Sequence, residues 1–164
     1  MKLSAHGITT DLPAGWEGRI TKRRRPTVVS ARAGGPGPVG SPEEVPQPVV
    51  HLANFALPEE RGDFGSGAVD RMGSGDVFVT LFEYGPESVG QALFAQQGIP
   101  LLRPRMFASN ALQKTISGQA GCQRFFTVAN RAFCLYVVLG RHREATTLVP
   151  HANTVLRNTR ISSR

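Results

Sequence analysis

Stretches in which apolar residues fill both faces of an extended chain, or alternate with polar ones, mark out strands along this sequence. Val77–Tyr84 is apolar on both faces except at Thr80 and Glu83. Downstream, Phe133, Leu135, Val137 and Leu139 fall on one face of a second run, and Ala132, Cys134, Tyr136 and Val138 on the other. A strand apolar on both sides belongs at the centre of a sheet covered on both faces. Cys122–Val128 precedes this run across Asn130-Arg131, which reads as the two-residue turn of a hairpin pairing Thr127 with Cys134 and Cys122 with Leu139. Val49–Leu57 is a further strand, closed by the polar turn Pro58–Asp63. Near the start, Ala5–Thr9 and Glu17–Lys22 flank the Pro/Gly segment Asp11–Trp16, predicting an N-terminal hairpin whose turn Trp16 pins to the core.

Helical spacing is rarer. Val69–Met72 allows one turn between Gly-Ser-Gly breaks. Gly85-Pro86-Glu87 reads as a helix start, with Val89, Ala92, Leu93 and Gln96 on one face and Gly98 as the stop. Phe107–Leu112 reads as a short helix. Pro150 is expected to open the last helix, where Val149, Ala152, Val155 and Leu156 share a face and Arg157 sits at the negative end of the dipole. Hairpins dominate, and strands do not alternate regularly with helices, so a parallel doubly wound sheet is set aside. The fold class expected is α+β, an antiparallel sheet of about six strands with helices packed on one face and irregular segments on the other.

Between Gly34 and Pro48, nine of fifteen residues are Gly or Pro, which reads as a flexible insertion. The residues before it are too few to fold alone, so the 164 residues are expected to form one domain. No apolar run reaches the roughly 18–20 residues needed to span a bilayer. Met1–Gly7 carries one lysine and no apolar stretch after it, so no secretory signal and a cytoplasmic location are expected. The hairpin register puts Cys122 and Cys134 on opposite faces, which predicts two reduced, buried thiols.

Charge is unevenly spread. The formal net charge of +7 divides into +5 for residues 1–32, −7 for 33–97 and +9 for 98–164. An acidic middle between basic ends implies a dipolar surface or internal pairing rather than a uniform polyanion-binding face.

The opening Asp11-Leu12-Pro13-Ala14-Gly15-Trp16, together with the element order, resembles the PsbP-like superfold. That fold is shared by the photosystem II extrinsic P subunit, the Ran-binding nuclear import factor and many bacterial proteins. The Arg, Ala and Gly bias is similar to that of actinobacterial chains. Members often begin with a hairpin carrying such a motif, and end in a strand hairpin, a helix and a short strand, as Ala120–Ile161 does in this reading. The Gly/Pro-rich insertion and the missing lipoprotein leader depart from the pattern. The resemblance implies binding or scaffolding rather than catalysis, and carries over no site residue.

Strong catalytic signatures are missing. The sequence has no Gly-Lys dipeptide for a phosphate-binding loop, no G-x-S-x-G around Ser66 or Ser74, and no H-E-x-x-H around any His. Asp63, Asp70 and Asp76 lie in a Gly/Ser-rich stretch, Gly62–Asp76, that admits two readings. One is a loop holding a divalent cation or a general base; the other, preferred, is a polar turn whose Asp and Ser residues cap short segments. His51 shares a strand face with Ala53 and Phe55 and is expected to be a satisfied, partly buried side chain. His142 and His151 are expected to face solvent.

Arg19, Lys22, Arg23, Arg24 and Arg25 form the sharpest charge cluster and are the candidate partner-binding residues. They read either as a basic arm for an acidic protein or a nucleic acid, or as solvated gatekeepers of an edge strand. No aromatic interleaves with them, so base stacking has no support. The chain is expected to be a non-catalytic protein-binding or structural module, without cofactor or metal, in contact with another protein. The alternative is a nucleic-acid-associated protein using residues 19–25.

Overall fold

The computed structural model describes residues 1–23 and 45–164. Most of the expected insertion, together with Arg24 and Arg25, lies outside the described residues. The strands are β1 (Lys2–Ala5), β2 (Ile8–Asp11), β3 (Glu17–Lys22), β4 (Pro48–Ala53), β5 (Val77–Glu83), β6 (Ala120–Val128), β7 (Arg131–Leu139) and β8 (Thr159–Ile161). A single α-helix among the described residues, α1 (Ala145–Arg157), precedes β8. The fold is α+β, with two antiparallel sheets instead of one of about six strands: a three-stranded sheet ordered β1-β2-β8 and a five-stranded sheet ordered β3-β4-β5-β7-β6.

Strand β7 is interior in the larger sheet, between β5 and the edge strand β6, and all nine of its residues are buried. On one face Leu135, Val137 and Leu139 join a core shared with Ile8 and Leu12, with Leu102 and Phe107, and with Leu148, Ala152, Val155 and Leu156 of α1. On the other, Phe78, Tyr136 and Val138 are covered by Phe55, Phe64, Ala68, Val69, Leu112 and Ile116, which lie in irregular connections. The helix thus covers one face and irregular chain the other. Among the described residues no helix is long and apolar enough to cross a membrane.

Several local expectations are corrected. The N-terminal hairpin forms between β1 and β2 across His6-Gly7, both at positive φ (52° and 74°), while β3 leaves it to pair with β4. The Asp11–Trp16 turn joins the two sheets: Gly15 takes φ 81° and Trp16 N–H donates to the Pro13 carbonyl at 3.2 Å, as in a type II turn. Gly18 lets Leu3, Leu12 and Leu52 close over β3, since a Cβ there would lie 2.9 Å from the Leu52 side chain. In the large hairpin the turn is Ala129-Asn130, at φ 51° and 58°, so Thr127 pairs with Ala132 and Cys122 with Val137. That slip preserves the faces, and both cysteines are buried and free, in different parts of the core.

The helix expected after Gly85 is replaced by two short 3-10 turns, Pro86–Ser88 and Ala92–Phe94. Gly90 takes φ 89° between them, and Gln97 bridges Thr127 as extended chain at the β6 edge. Phe94 is buried against that edge and Leu93 is left 58% exposed, the reverse of the expected face. Residues 107–112 likewise form no helix, because Ala108 exchanges both backbone bonds with Gly121 at 3.0 Å. Helix α1 starts at Ala145, five residues before Pro150, which lies inside it. Val69–Arg71 does form the expected single turn, of 3-10 type. At the end of the Gly/Pro-rich stretch, Gln47 is buried and Pro48 opens β4.

Candidate functional site

Of the five basic residues singled out by sequence, Arg19, Lys22 and Arg23 are described. Arg19 and Lys22 are exposed on β3, an edge strand, opposite His51 and Pro48. Arg23 is docked rather than free, which corrects the expectation of an unattached arm. Its N–H donates to the Gln47 carbonyl at 3.0 Å, its Nη2 donates to the Glu83 carbonyl at 3.3 Å, and its guanidinium lies 4.0 Å from the Phe82 ring centroid. An aromatic partner was invisible in sequence because Phe82 is 59 positions away.

His51, Asp70 and Asp76 make contacts within the protein. The buried His51 imidazole bonds the Asp63 carbonyl through Nε2 at 2.8 Å and accepts from Arg61 Nε at Nδ1, 2.9 Å away. Both contacts suit the neutral ring with its proton on Nε2. Burial holds its pKa down to about 4, against an opposing contribution from the Asp63 bond and with a further lowering by Arg61. Asp70 accepts from Lys114 Nζ at 2.6 Å and from Gly67 N–H at 3.2 Å, and Asp76 accepts from Gly73 N–H at 2.6 Å. The bonds from Gly67 and Gly73 are local turn contacts, the Lys114 bond is a surface ion pair, and the 3-10 turn Val69–Arg71 has no side-chain cap. Among the described residues no group of three or more His, Cys, Asp or Glu is placed to hold a metal ion. Burial pushes the Cys122 thiol up and the Cys134 thiol up to about 11.

Sequence reasoning missed a buried ion pair. Arg131, at the start of β7, grips Glu83, at the end of β5, with Nε and Nη2 at 2.9 and 2.7 Å. It also donates to the Ser162 carbonyl through Nη1 and to the His6 carbonyl through Nη2, each at 3.0 Å. One side chain thus ties the β1–β2 turn and the residue after β8 to the larger sheet. The signal available in sequence was Glu83 itself, a carboxylate in an otherwise apolar strand, which needs a cation beside it.

The second feature missed is a groove on the α1 side. Asn153 accepts the Leu102 N–H at 3.0 Å and donates to the Leu102 carbonyl at 2.9 Å, clamping Ile99–Leu102 along the helix. Leu102 is driven inward and Leu101 outward, where it is 48% exposed. A groove of about 370 Å³ results, lined by Ile99, Pro100, Leu101, Leu156, Arg157 and Thr159 along with the clamp. Its lining includes one cation and no acid. Arg103, Arg105 and Arg160 are exposed on the segments that form it. Asp11, bonded through its backbone to Asn158, lies 3.7 Å from the terminal ammonium. The β4–β5 connection on the opposite face bears Glu59, Glu60, Asp63, Asp70 and Asp76 together with Arg61 and Arg71, and Lys114 pairs with Asp70. The acidic block is thus partly paired on its own face, while α1 carries Arg157 and no acid.

Compared with family models, curated proteins and solved structures, the chain has no significant match.

Proposed function

We propose that this chain is a non-catalytic protein-binding module whose contact surface is the groove between Ile99–Leu101 and the C-terminal half of α1. The observation that carries the reading is the half-exposed Leu101 in a largely apolar groove whose one charged lining residue is Arg157. Such a surface suits an acidic segment with an apolar anchor: the anchor gains from burial, and opposite charge sets orientation and speeds encounter. A cytoplasmic setting and kinship with the PsbP-like superfold belong to the same proposal. The type II turn at Pro13–Trp16 and the closing order β6–β7–α1–β8 support that kinship.

The test is quantitative affinity capture with wild type, Leu101→Ser, Arg157→Glu and, as a control, Arg19→Ala/Lys22→Ala. A partner retained by wild type and the control, but depleted at least tenfold by both groove variants, supports the reading. Equal recovery by all four proteins rejects it.

A further inference from the structure

Strand β6 forms one edge of the larger sheet, and the chain covers that edge near its two ends. Ala108 exchanges both backbone bonds with Gly121, each at 3.0 Å. Further along, Thr127 N–H donates to the Gln96 carbonyl and Gly98 N–H donates to the Thr127 carbonyl, each at 2.8 Å. Successive residues of a strand direct their backbone groups to opposite edges, and β6 pairs with β7 from Ala120 to Val128 without a bulge. Gln123 and Phe125 fall in the same alternate set as Gly121 and Thr127, so they present their N–H and C=O groups to the same outer edge. Among the described residues no hydrogen bond reaches those backbone groups. Gln123 is exposed and Phe125 half-buried.

The gap is short, and its length decides what can fill it. A second copy of β6, set so that its Phe125 lies opposite Gln123, would bring its Thr127 opposite Gly121, the place that Ala108 fills. A flexible extended peptide no longer than the stretch 122–126 avoids both covered ends, and its backbone supplies the alternating donors and acceptors that the edge lacks. The side chains set its chemistry. Arg124 lies between Gln123 and Phe125 on the face of Cys122 and Phe126, and its Nε is buried without a hydrogen-bond partner. From Ser88 to Arg143 the chain has no Asp or Glu, and exposed Arg103 and Arg105 lie in the connection between the two covered ends. The sheet order puts β3 and β4, which flank the undescribed residues, beyond β7 and β5 from this edge. On the other face, Phe94 packs edge-on against Phe125 at 5.6 Å, centroid to centroid, next to Leu93, which is 58% exposed. We infer that the β6 edge between Gly121 and Thr127 docks a short extended segment of a partner protein, with an acidic residue beside Arg124 and an apolar residue on either side of it. The site is separate from the groove along α1, whose lining includes neither Gln123 nor Phe125.

The test is an NMR titration of the isotope-labelled full chain with a capped pentapeptide, glutamate between two valines with a serine at each end. Comparison peptides carry N-methyl groups on both valines, or lysine in place of glutamate. The Gln123 and Phe125 amide resonances should shift and saturate with the first peptide. N-methylation removes the donors that meet the edge carbonyls and should weaken binding roughly tenfold. Lysine should weaken it by a similar factor in wild type but not in Arg124→Gln. Leu101→Ser should bind the peptide as wild type does, so that this edge and the groove stand or fall separately. Absence of a saturable shift at Gln123 and Phe125, or equal binding of the N-methylated peptide, overturns the inference. A single-stranded oligonucleotide that shifts the same amides at lower concentration than the peptide also overturns it, and assigns the edge to nucleic acid.

Discussion

His51 has its ring between the Arg61 guanidinium and the Asp63 carbonyl, with Phe78 5.5 Å away, centroid to centroid. Its pKa near 4 lies below the ordinary value of 6.5, so between these limits the unfolded chain binds the extra proton. The stability that neutral His51 contributes is therefore complete above about pH 6.5 and is lost as pH falls toward 4, a change on the order of 3 kcal/mol. His51→Gln keeps a donor and an acceptor but does not titrate. Urea unfolding at pH 7 and pH 4.5 should show a smaller loss for the variant than for wild type, and equal losses would contradict this assignment. The thiols give a second check. Cys122 and Cys134 should resist a thiol reagent in the native protein at pH 8, and both should react in denaturant without reductant. Recovery of fewer than two thiols from a monomer without other oxidation would refute the opposite-face placement. Burial of His51 and both cysteines was legible because strand alternation fixes a residue's face. Their partners were not: Arg61 reaches His51 through a fold of chain that alternation does not describe, and Gln123 comes diagonal to Cys134 only in the observed register.

At the level of elements, strand β7 carries the fold. Leu135 and Val138 point to opposite faces, and both are fully buried. Leu135→Asp and Val138→Asp should each abolish soluble folded protein, because a carboxylate there loses hydration without gaining a partner. Normal yield and a cooperative melt for either variant would mean that its face is open. Arg131→Met should cost about 3 kcal/mol, since it leaves the buried Glu83 carboxylate with only the half-exposed Arg164 guanidinium beside it. Hydrogen exchange should quicken first in β1, β2 and β8, whose flanking His6 and Ser162 carbonyls lose their donor. A loss below about 1 kcal/mol would show that the sheets are joined by apolar packing alone. The long apolar strands and α1's inner face were legible from periodicity. The split into two sheets was not, because β1, β2 and β8 contain only four, four and three residues and offer too few positions to reveal a partner. The false helix after Gly85 arose from start and stop signals that outweighed Gly90 in the middle.

For the whole molecule, the two basic regions have different standings. Arg19 and Lys22 remain exposed on an edge strand, where charge discourages strand addition, while Arg23 is held against Phe82. Arg19→Ala/Lys22→Ala should therefore leave duplex and single-strand binding unchanged at physiological salt and should aggregate more readily. Submicromolar nucleic-acid binding by wild type, lost in this variant, would favour the alternative function. The charge blocks were legible in the sequence, but the groove was not. It needs Leu102 of one segment clamped by Asn153, 51 positions later, before Leu101 is turned outward. The most direct measurement places a photo-crosslinking amino acid at position 101 and, separately, at exposed Ser74 on the acidic side, and irradiates cells making each protein. A discrete crosslinked protein from position 101, absent from position 74 and reduced by Arg157→Glu, is the predicted result. The same products from both positions, or products from position 74 alone, would contradict a binding surface along α1.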